Sequence, residues 1–301
     1  MAGPAMIEGG GLGKFDPKEI GPTDVQKNNG VIDYVAEDEK DATNIAKKIL
    51  SYFQGDIKDW KADDQKKLSN IMPKDRRWSY PVRDIIKIIS DIEQFTEIRS
   101  DYGKGIVTCF IRIKGKPFGL LANDSQHLGG AIDSEGADKA TTFIEMCSEY
   151  GLPIISLVDT PGFMVGPDSE KEGAVRRMSN LFKIGSKVKV PLTAIFLRKG
   201  YGLGAQAMVG GSLHEPVYTA AWPTGEFGAM GLEGAVKLGF RKELEAETDP
   251  KKKEDLYNKL VERSYEKGKA IEAAAHLEID AVIDPADTRK VILKALKNKF
   301  I

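Results

Sequence analysis

The residues of this sequence that most clearly could do chemistry are the glycines of RKGYGLGAQAM, residues 198–208. Gly200, Gly202 and Gly204 occupy every second position, between a predicted buried strand and a short run that favours a helix. A glycine-rich turn of this kind can leave backbone N–H groups of the first helical turn free, where the helix dipole favours negative charge. The pattern therefore predicts a site that binds an oxyanion.

Three chemistries could use this turn. Residues 202–207 match GxGxxA, but the acidic residue that a dinucleotide site needs about 20 positions later falls on Glu226, in a loop rich in Gly and Pro. Acyl hydrolysis needs a serine or cysteine nucleophile, and none lies between Arg198 and Val209. Stabilisation of a thioester enolate or a related anion by two backbone donors needs no catalytic side chain at the turn, and so it fits the sequence best.

A second turn, DTPGF at residues 159–163, follows another hydrophobic strand. Asp-x-x-Gly in this position occurs in GTPase switch regions, but a GTPase also needs GxxxxGK[ST], and no Gly-Lys pair here precedes Ser or Thr. The turn at Pro161–Gly162 therefore either lines a pocket or only closes a loop.

The elements that must position these turns are strands that alternate with helices, a pattern typical of stacked βα units with buried sheets. Residues 30–53 predict a strand and then a helix, and residues 242–277 predict a charged helical hairpin that is broken at Asp249–Pro250. Between these two segments, the predicted strands are residues 105–113, 116–123, 152–159 and 191–199. The predicted helices there are residues 82–92, 134–150, 173–187 and one that starts within 202–208. A short strand and a last helix are predicted after the hairpin, in residues 280–299.

The composition of the 301-residue chain excludes several partners. Its 44 Lys and Arg residues balance 45 Asp and Glu residues, so no overall charge attracts nucleic acid or an anionic membrane. The apolar runs are much shorter than the roughly 20 residues that cross a bilayer. Cys109 and Cys147 form no CxxC motif, and the histidines are scattered, so no metal site is expected. Residues 1–13 lack the pattern of a secretory signal, which predicts a cytoplasmic location.

Six ordered motifs carry a family resemblance: VRDIIKIISDIEQFTEI, GKPFGLLAND, AIDSEGADKATTFIEMC, PIISLVDTPGFMVGPDSEKEG, RKGYGLGAQAM and WPTGEFGAMGLEGAV. In order and spacing they resemble the C-terminal half of the carboxyltransferase (beta-type) component of biotin-dependent acyl-CoA carboxylases. Residues 1–55 resemble the tail of that family's N-terminal half, residues 56–80 read as a linker, and residues 81–301 read as the C-terminal domain. Most of the acyl-CoA-binding half is therefore expected to come from elsewhere.

The resemblance implies an α/β fold of the crotonase/ClpP-like ββα superhelix type. It implies transfer of a carboxyl group between a biotin on a carrier protein and the alpha carbon of an acyl-CoA. Gly204 and Ala205 match the family's oxyanion pair, whose N–H groups hold the biotin ureido oxygen as negative charge develops. The other residues expected at the cofactor site are Gly202, Gln206 and Ala207 on the same turn, Gly129, Gly130 and Ala131 in an earlier loop, and Gly162 and Phe163; no metal is implied.

The resemblance also implies cofactors and partners. The cofactor is biotin, as carboxybiotin that is not covalently attached to this chain, and the substrate is an acyl-CoA. The expected partners are a biotin carboxyl carrier protein, a biotin carboxylase, a chain or domain that supplies the N-terminal carboxyltransferase half, and further copies in a homo-oligomer. Two alternatives stay open: a biotin-dependent decarboxylase of a carboxyacyl-CoA, for example of the glutaconyl-CoA type, and a non-catalytic scaffold subunit.

Overall fold

The computed structural model of the protein describes residues 2–297, and within them eight strands form one mixed sheet. The sheet order is β1-β2-β3-β4-β5-β6-β8, and β7 pairs with β5. The pairs β1–β2 and β2–β3 are antiparallel, whereas every pair from β3 onward is parallel. The strands are β1 Phe95–Ile98, β2 Ile106–Ile113, β3 Lys116–Asn123, β4 Ile154–Thr160, β5 Leu192–Tyr201, β6 Tyr218–Ala221, β7 Glu226–Gly228 and β8 Ala281–Val282.

Helices cover the sheet, and local sequence explains where several of them begin. Asp133 caps α5 by accepting from the N–H of Gly136, and Asp249 caps α11 just before Pro250, which is why the predicted hairpin breaks there. The helices are α1 Pro4–Gly9, α2 Thr23–Asn28, α3 Glu39–Ser51, α4 Val82–Ile89, α5 Ser134–Glu149, α6 Pro167–Lys171, α7 Ala174–Gly185, α8 Gly202–Met208, α9 Leu232–Gly239, α10 Arg241–Ala246, α11 Pro250–Gly268, α12 Ala270–Ala275 and α13 Thr288–Lys297.

Two hydrophobic cores lie on opposite faces of the sheet. Along β5, Phe196 points into a core shared with α5 and α7, whereas Ile195 points into a core shared with α4 and α13. Strands β2 and β4 are buried at every position, as expected for a sheet that is covered on both faces. The α/β class and the four strands predicted between residues 105 and 199 are confirmed.

The strand predicted at the start of residues 30–53 is wrong. Residues 31–36 form bends and irregular backbone, and the helix that follows is α3. A strand needs a neighbouring strand to pair its N–H and C=O groups. Among the described residues, the backbone of residues 31–36 makes one hydrogen bond toward the sheet, from the N–H of Arg99 to the carbonyl of Asp33. Val31 and Tyr34 remain exposed.

Residues 56–80 have little regular structure beyond a 3-10 turn at Gln65–Asn70, but they lie against the sheet domain. Leu68 and Tyr80 are buried in the core that contains α4, and the N–H of Ile57 donates to the carbonyl of Gly115. The boundaries at 55 and 80 stay a prediction.

The short strand and last helix predicted in residues 280–299 correspond to β8 and α13, and residues 298–301 lie outside the described part. Within residues 2–297, no helix is both long enough and apolar enough to cross a membrane.

Candidate functional site

The candidate site lies where β3, β4 and β5 end. These strands are parallel, so their carboxyl ends meet at one edge of the sheet, the usual place for ligands in α/β folds. The segments that follow β3 and β4 are joined there: the N–H of Ile132 donates to the carbonyl of Gly162 at 3.0 Å, and the N–H of Met164 donates to the carbonyl of Ile132 at 2.8 Å. Helix α8 follows β5 with no loop between them.

The glycines of the turn allow this abrupt change from strand to helix. Gly202 has a φ of +59°, and a Cβ on it would lie 2.8 Å from the carbonyl oxygen of Ala229. A Cβ on Gly204 would lie 2.7 Å from the Cα of Gly162 and 2.9 Å from the nitrogen of Phe163. Both positions therefore need glycine, the first for its backbone angle and the second for close packing of α8 against the loop after β4.

The start of α8 determines which amides are free. Because the helix begins at Gly202 after Tyr201, the N–H of Ala205 is the first that faces a carbonyl four residues back, that of Tyr201. The N–H groups of Leu203 and Gly204 have no such carbonyl. Neither Gly204 nor Ala205 donates to a side chain or to a loop carbonyl among residues 2–297. Helical geometry thus adds Leu203, which sequence reasoning missed, as a neighbour for the amide of Gly204.

A cavity of about 880 Å³ opens beside α8, within the size range of small-molecule sites. One wall contains Gly202, Ala205 and Gln206 of α8 with Phe227 and Gly228 of β7. The C-terminal helices adjoin β7 and add charged side chains to the lining: Lys267, Lys269, Glu272 and His276. His214 also lines the cavity, so two of the histidines that are scattered in the sequence meet here.

The structure brings only some of the predicted residues to this cavity. Gly202, Ala205 and Gln206 line it, whereas Gly204 and Ala207 are buried and do not line it. Ala207 is 1% exposed and belongs to the core on the side of α5 and α7. The remaining predicted residues lie at the same edge of the sheet without lining the cavity: Gly162 and Phe163 against Gly204, and Gly129, Gly130 and Ala131 after β3.

A buried charged cluster at this edge was missed by sequence reasoning. The carboxylate of Asp159, at the end of β4, is fully buried. It accepts from Nη2 of Arg198 at 3.0 Å and from the backbone N–H of Lys199 at 3.0 Å. Nη1 of Arg198 donates to the carbonyls of Arg76 and Trp78, which ties residues 72–80 to the edge. The sequence signal that could have predicted this cluster is the charged residues at the ends of two mostly apolar strands, Asp159 on β4 and Arg198 and Lys199 on β5.

A second polar pair joins the end of β5 to the start of β7. The hydroxyl of Tyr201 donates to Oε2 of Glu226 at 2.8 Å. Burial raises the pKa of Glu226 above its usual value, although the Tyr201 hydroxyl and the Arg76 guanidinium oppose the shift. Burial also raises the pKa of Tyr201, so its hydroxyl stays protonated and able to donate at neutral pH.

No group of three or more His, Cys, Asp or Glu side chains in residues 2–297 could hold a metal ion. Cys109 and Cys147 are buried free thiols, and burial raises the pKa of both. Neither lines the cavity, so neither is placed to act as a nucleophile there.

Comparison with known proteins identifies the family. The model of the carboxyl transferase domain matches residues 15–300. The methylmalonyl-CoA carboxyltransferase 12S subunit of Propionibacterium freudenreichii subsp. shermanii is 36% identical over 89% of this chain and 52% of its own length. The alpha subunit of methylmalonyl-CoA decarboxylase of Propionigenium modestum is 30% identical over 89% of this chain and 53% of its own. The chain thus spans about half the length of these curated relatives.

Comparison with solved structures points to the same family. A single-chain, multi-domain long-chain acyl-CoA carboxylase superposes with a TM-score of 0.90 and 52% identity over 98% of this chain and 30% of its own length. Transcarboxylase 12S, whose fold is crotonase-like, gives a TM-score of 0.87 and 32% identity over 99% of this chain and 58% of its own. The predicted crotonase-like fold and family resemblance are confirmed. The chain belongs to the carboxyl transferase domain family, that of the carboxyltransferase subunits of biotin-dependent acyl-CoA carboxylases.

Proposed function

We propose that this chain is the part of a biotin-dependent carboxyltransferase that receives the carboxylated biotin of a carrier protein and passes the carboxyl group to the alpha carbon of an acyl-CoA. The observation that carries the proposal is the cavity of about 880 Å³ beside the first turn of α8, in a chain of this family. Its open mouth suits a group that arrives on a flexible carrier arm.

The residues present fit a biotin ring. Gly202 and Ala205 give the α8 wall little side-chain bulk, so a flat bicyclic group can approach the backbone closely. The side chain of Gln206 is exposed at the same wall and offers both a donor and an acceptor. When bound, biotin supplies the nitrogen that carries and releases the carboxyl group.

The chain's own contribution is electrostatic. The amides of Gly204 and of a neighbour, Ala205 as predicted or Leu203 as helical geometry favours, would hold the ureido oxygen where negative charge develops. Removing one such donor typically costs about 3 kcal/mol of transition-state stabilisation. Ala207 faces the core, so a substitution there would reach the cofactor site only by shifting α8.

Residues 129–131 and 162–163 have a supporting role in this proposal. Gly162 and Phe163 pack against the first turn of α8, and their loop is hydrogen-bonded to Ile132, the residue after Ala131. They therefore set the position of α8 at the sheet edge, behind the wall that meets the ligand.

The proposed partners are a biotin carboxyl carrier protein, a biotin carboxylase and a chain or domain that supplies the remaining carboxyltransferase half, since the chain spans about half of its curated relatives. Transcarboxylase 12S assembles as a hexamer, which supports a homo-oligomer. The second candidate is decarboxylation of a carboxyacyl-CoA, favoured by the similarity to the methylmalonyl-CoA decarboxylase subunit. The same amides serve both directions.

The proposal is tested by titrating the ¹⁵N-labelled chain with biocytin, a free biotinyl-lysine. We expect saturable shifts of the Leu203, Gly204 and Ala205 amides. Gly204→Val should abolish them, because its side chain would overlap the backbone of Gly162. Gly231→Val is the matched control, since a Cβ at Gly231 meets nothing within 4 Å. No shifts in α8, or equal shifts in both variants, would contradict the proposal and favour a scaffold role.

A further inference from the structure

The carboxyl edge of the sheet contains an ammonium group that the proposed function does not use. Lys199 lies on β5, two residues before Tyr201, where β5 ends, and its side chain is only 20% exposed. Its Nζ donates to the backbone carbonyl of Gly129, in the loop that follows β3. It does not line the cavity beside α8, so it is not placed to touch a ligand there.

An irregularity in the strand pairing directs Lys199 toward that loop. The register between β4 and β5 changes from Val158↔Phe196 to Thr160↔Gly200. Three residues of β5, numbers 197–199, therefore face Asp159 alone. Such bulges redirect side chains and are common beside active sites. Here the bulge places Arg198 and Lys199 on two sides of one buried carboxylate.

The two cations make different contacts. Arg198 neutralises Asp159 directly, with Nη2 3.0 Å from Oδ2. Nζ of Lys199 is 3.8 Å from Oδ1 of the same carboxylate, a distance too long for a hydrogen bond. The ammonium of Lys199 therefore donates its hydrogen bond to the carbonyl of Gly129. Asp159 supplies the opposite charge that makes the burial of this ammonium tolerable.

The loop that Lys199 contacts needs an external restraint. Leu128, Gly129 and Gly130 have φ values of +49°, +64° and +89° in succession, and a left-handed leucine is unfavourable. Residues in such conformations persist only where the surroundings fix them. A Cβ on Gly130 would overlap the carbonyl oxygen of Asp159, so the loop is packed tightly on the end of β4.

The loop is connected to α8 through a short series of contacts. Ile132, two residues after Gly130, exchanges hydrogen bonds with Gly162 and Met164 in the loop after β4. Gly162 in turn packs against Gly204 in α8. A displacement at Gly129 would thus reach the backbone behind the first turn of α8.

We propose that Lys199 is a positioning residue of the carboxyl-transfer site, which fixes the Leu128–Gly130 loop through the carbonyl of Gly129 and so sets the position of the amides of α8. This inference rests on the proposed function. Lys199 acts through the loop and does not contact the ligand.

The test compares Lys199→Met, which keeps the aliphatic stem, with Lys199→Arg, which keeps the charge. Lys187→Met is the matched control, since Lys187 is an exposed lysine after α7. Two quantities are measured in each full-length variant: hydrogen exchange of the Gly130, Ala131 and Ile132 amides, and the Kd for biocytin. Loss of a charged hydrogen bond predicts that Lys199→Met speeds the exchange of these amides and weakens biocytin binding by about tenfold or more. Lys199→Arg should recover much of both effects, and Lys187→Met should match the wild type.

Two results would overturn the proposal. Lys199→Met could match Lys187→Met in loop exchange and in Kd, or it could speed exchange throughout the sheet, which would indicate a general structural role. A wild-type chain that does not respond to biocytin would instead overturn the proposed function, and with it the role of Lys199 at that site. The wild-type titration therefore distinguishes the two failures.

Discussion

The carboxyl edge of the sheet and the N-terminal segment, residues 2–36, are built in opposite ways. At the edge, charged side chains are buried: Asp159 is 0% exposed and Arg198 is 4% exposed. Along the N-terminal segment, apolar side chains are exposed: Met6 and Leu12 are each 73% exposed, and α1 and α2 contain no buried residue.

This contrast in burial shows that side-chain contacts hold the sheet edge together more than they hold residues 2–36. A buried charge is tolerated only with a partner, so the side chains of the edge depend on one another. The N-terminal segment makes few contacts with the rest of the described chain. Asp33 forms the main one with Arg99, through an ion pair at 2.7 Å and a backbone hydrogen bond. Substitutions at the edge should therefore cost far more stability than changes near the N-terminus.

The largest effect is expected from Asp159→Ala. This change leaves the buried guanidinium of Arg198 without its carboxylate, and breaking such a pair typically costs about 3–5 kcal/mol. Urea unfolding measures the loss. Asp168→Ala is the control, because the Asp168 side chain is 95% exposed and its ion pair with Lys171 is worth about 0.5 kcal/mol or less. Equal losses in the two variants would remove the contrast between buried and exposed charges.

A smaller loss is expected from Gly204→Ala. The added Cβ would lie 2.7 Å from the Cα of Gly162, and relief of such overlap typically costs about 1–3 kcal/mol. Gly231→Ala, where a Cβ meets nothing within 4 Å, should change the free energy of unfolding much less. Thermal and urea unfolding of the pair would show whether α8 packs as closely on the β4 loop as described; indistinguishable stabilities would contradict it.

The pH dependence of stability tests the pair formed by Tyr201 and Glu226. Because burial raises the pKa of Glu226 in the folded state, the folded protein binds this proton more tightly than the unfolded chain does. The contribution of Glu226 to stability should therefore be greatest below its ordinary pKa of 4.5 and decrease as the pH rises above it. Glu226→Gln should remove this decrease. The measurement is the urea midpoint of each protein as a function of pH, between about pH 4 and pH 7. A wild-type profile that Glu226→Gln leaves unchanged would contradict the assignment.

The smallest effect is expected from deletion of residues 2–19. These residues include α1 and a 3-10 turn at Pro17–Glu19, neither of which contains a buried residue. The free energy of unfolding should change by about 0.5 kcal/mol or less, as for surface changes in general. A loss comparable to that of Asp159→Ala would mean that the N-terminal segment contributes to the core after all.

Much of the fold could be predicted because its signals are local. Strands β2 to β5 are mostly apolar and mostly buried, and Asp249–Pro250 marks the start of α11 through capping alone. The glycines of α8 predicted an abrupt strand-to-helix turn, and Gly202 at positive φ confirms it. In contrast, residues 31–36 have a strand-like pattern but no strand to pair with, which no local pattern reveals.

The candidate site was predictable only in part, because its geometry depends on distant contacts. The contact between Gly204 and Gly162 joins residues 42 positions apart in the sequence. The cluster of Asp159, Arg198 and Lys199 depends on a change of register between β4 and β5, which neither strand shows alone. On α8, Gln206 reaches the cavity while Ala207 faces the core, because consecutive residues of a helix point in different directions and tertiary packing decides which face meets the cavity.

The central claim is that this chain contributes the carboxybiotin side of a carboxyltransferase. The most direct measurement is transfer of a ¹⁴C-labelled carboxyl group from a carboxylated biotin carrier protein to acyl-CoAs of increasing length, with this chain mixed with a homologous N-terminal carboxyltransferase half. The account predicts transfer that requires both chains and is lost with Gly204→Val but kept with Gly231→Val. Transfer by the N-terminal half alone, or no gain when this chain is added, would contradict it.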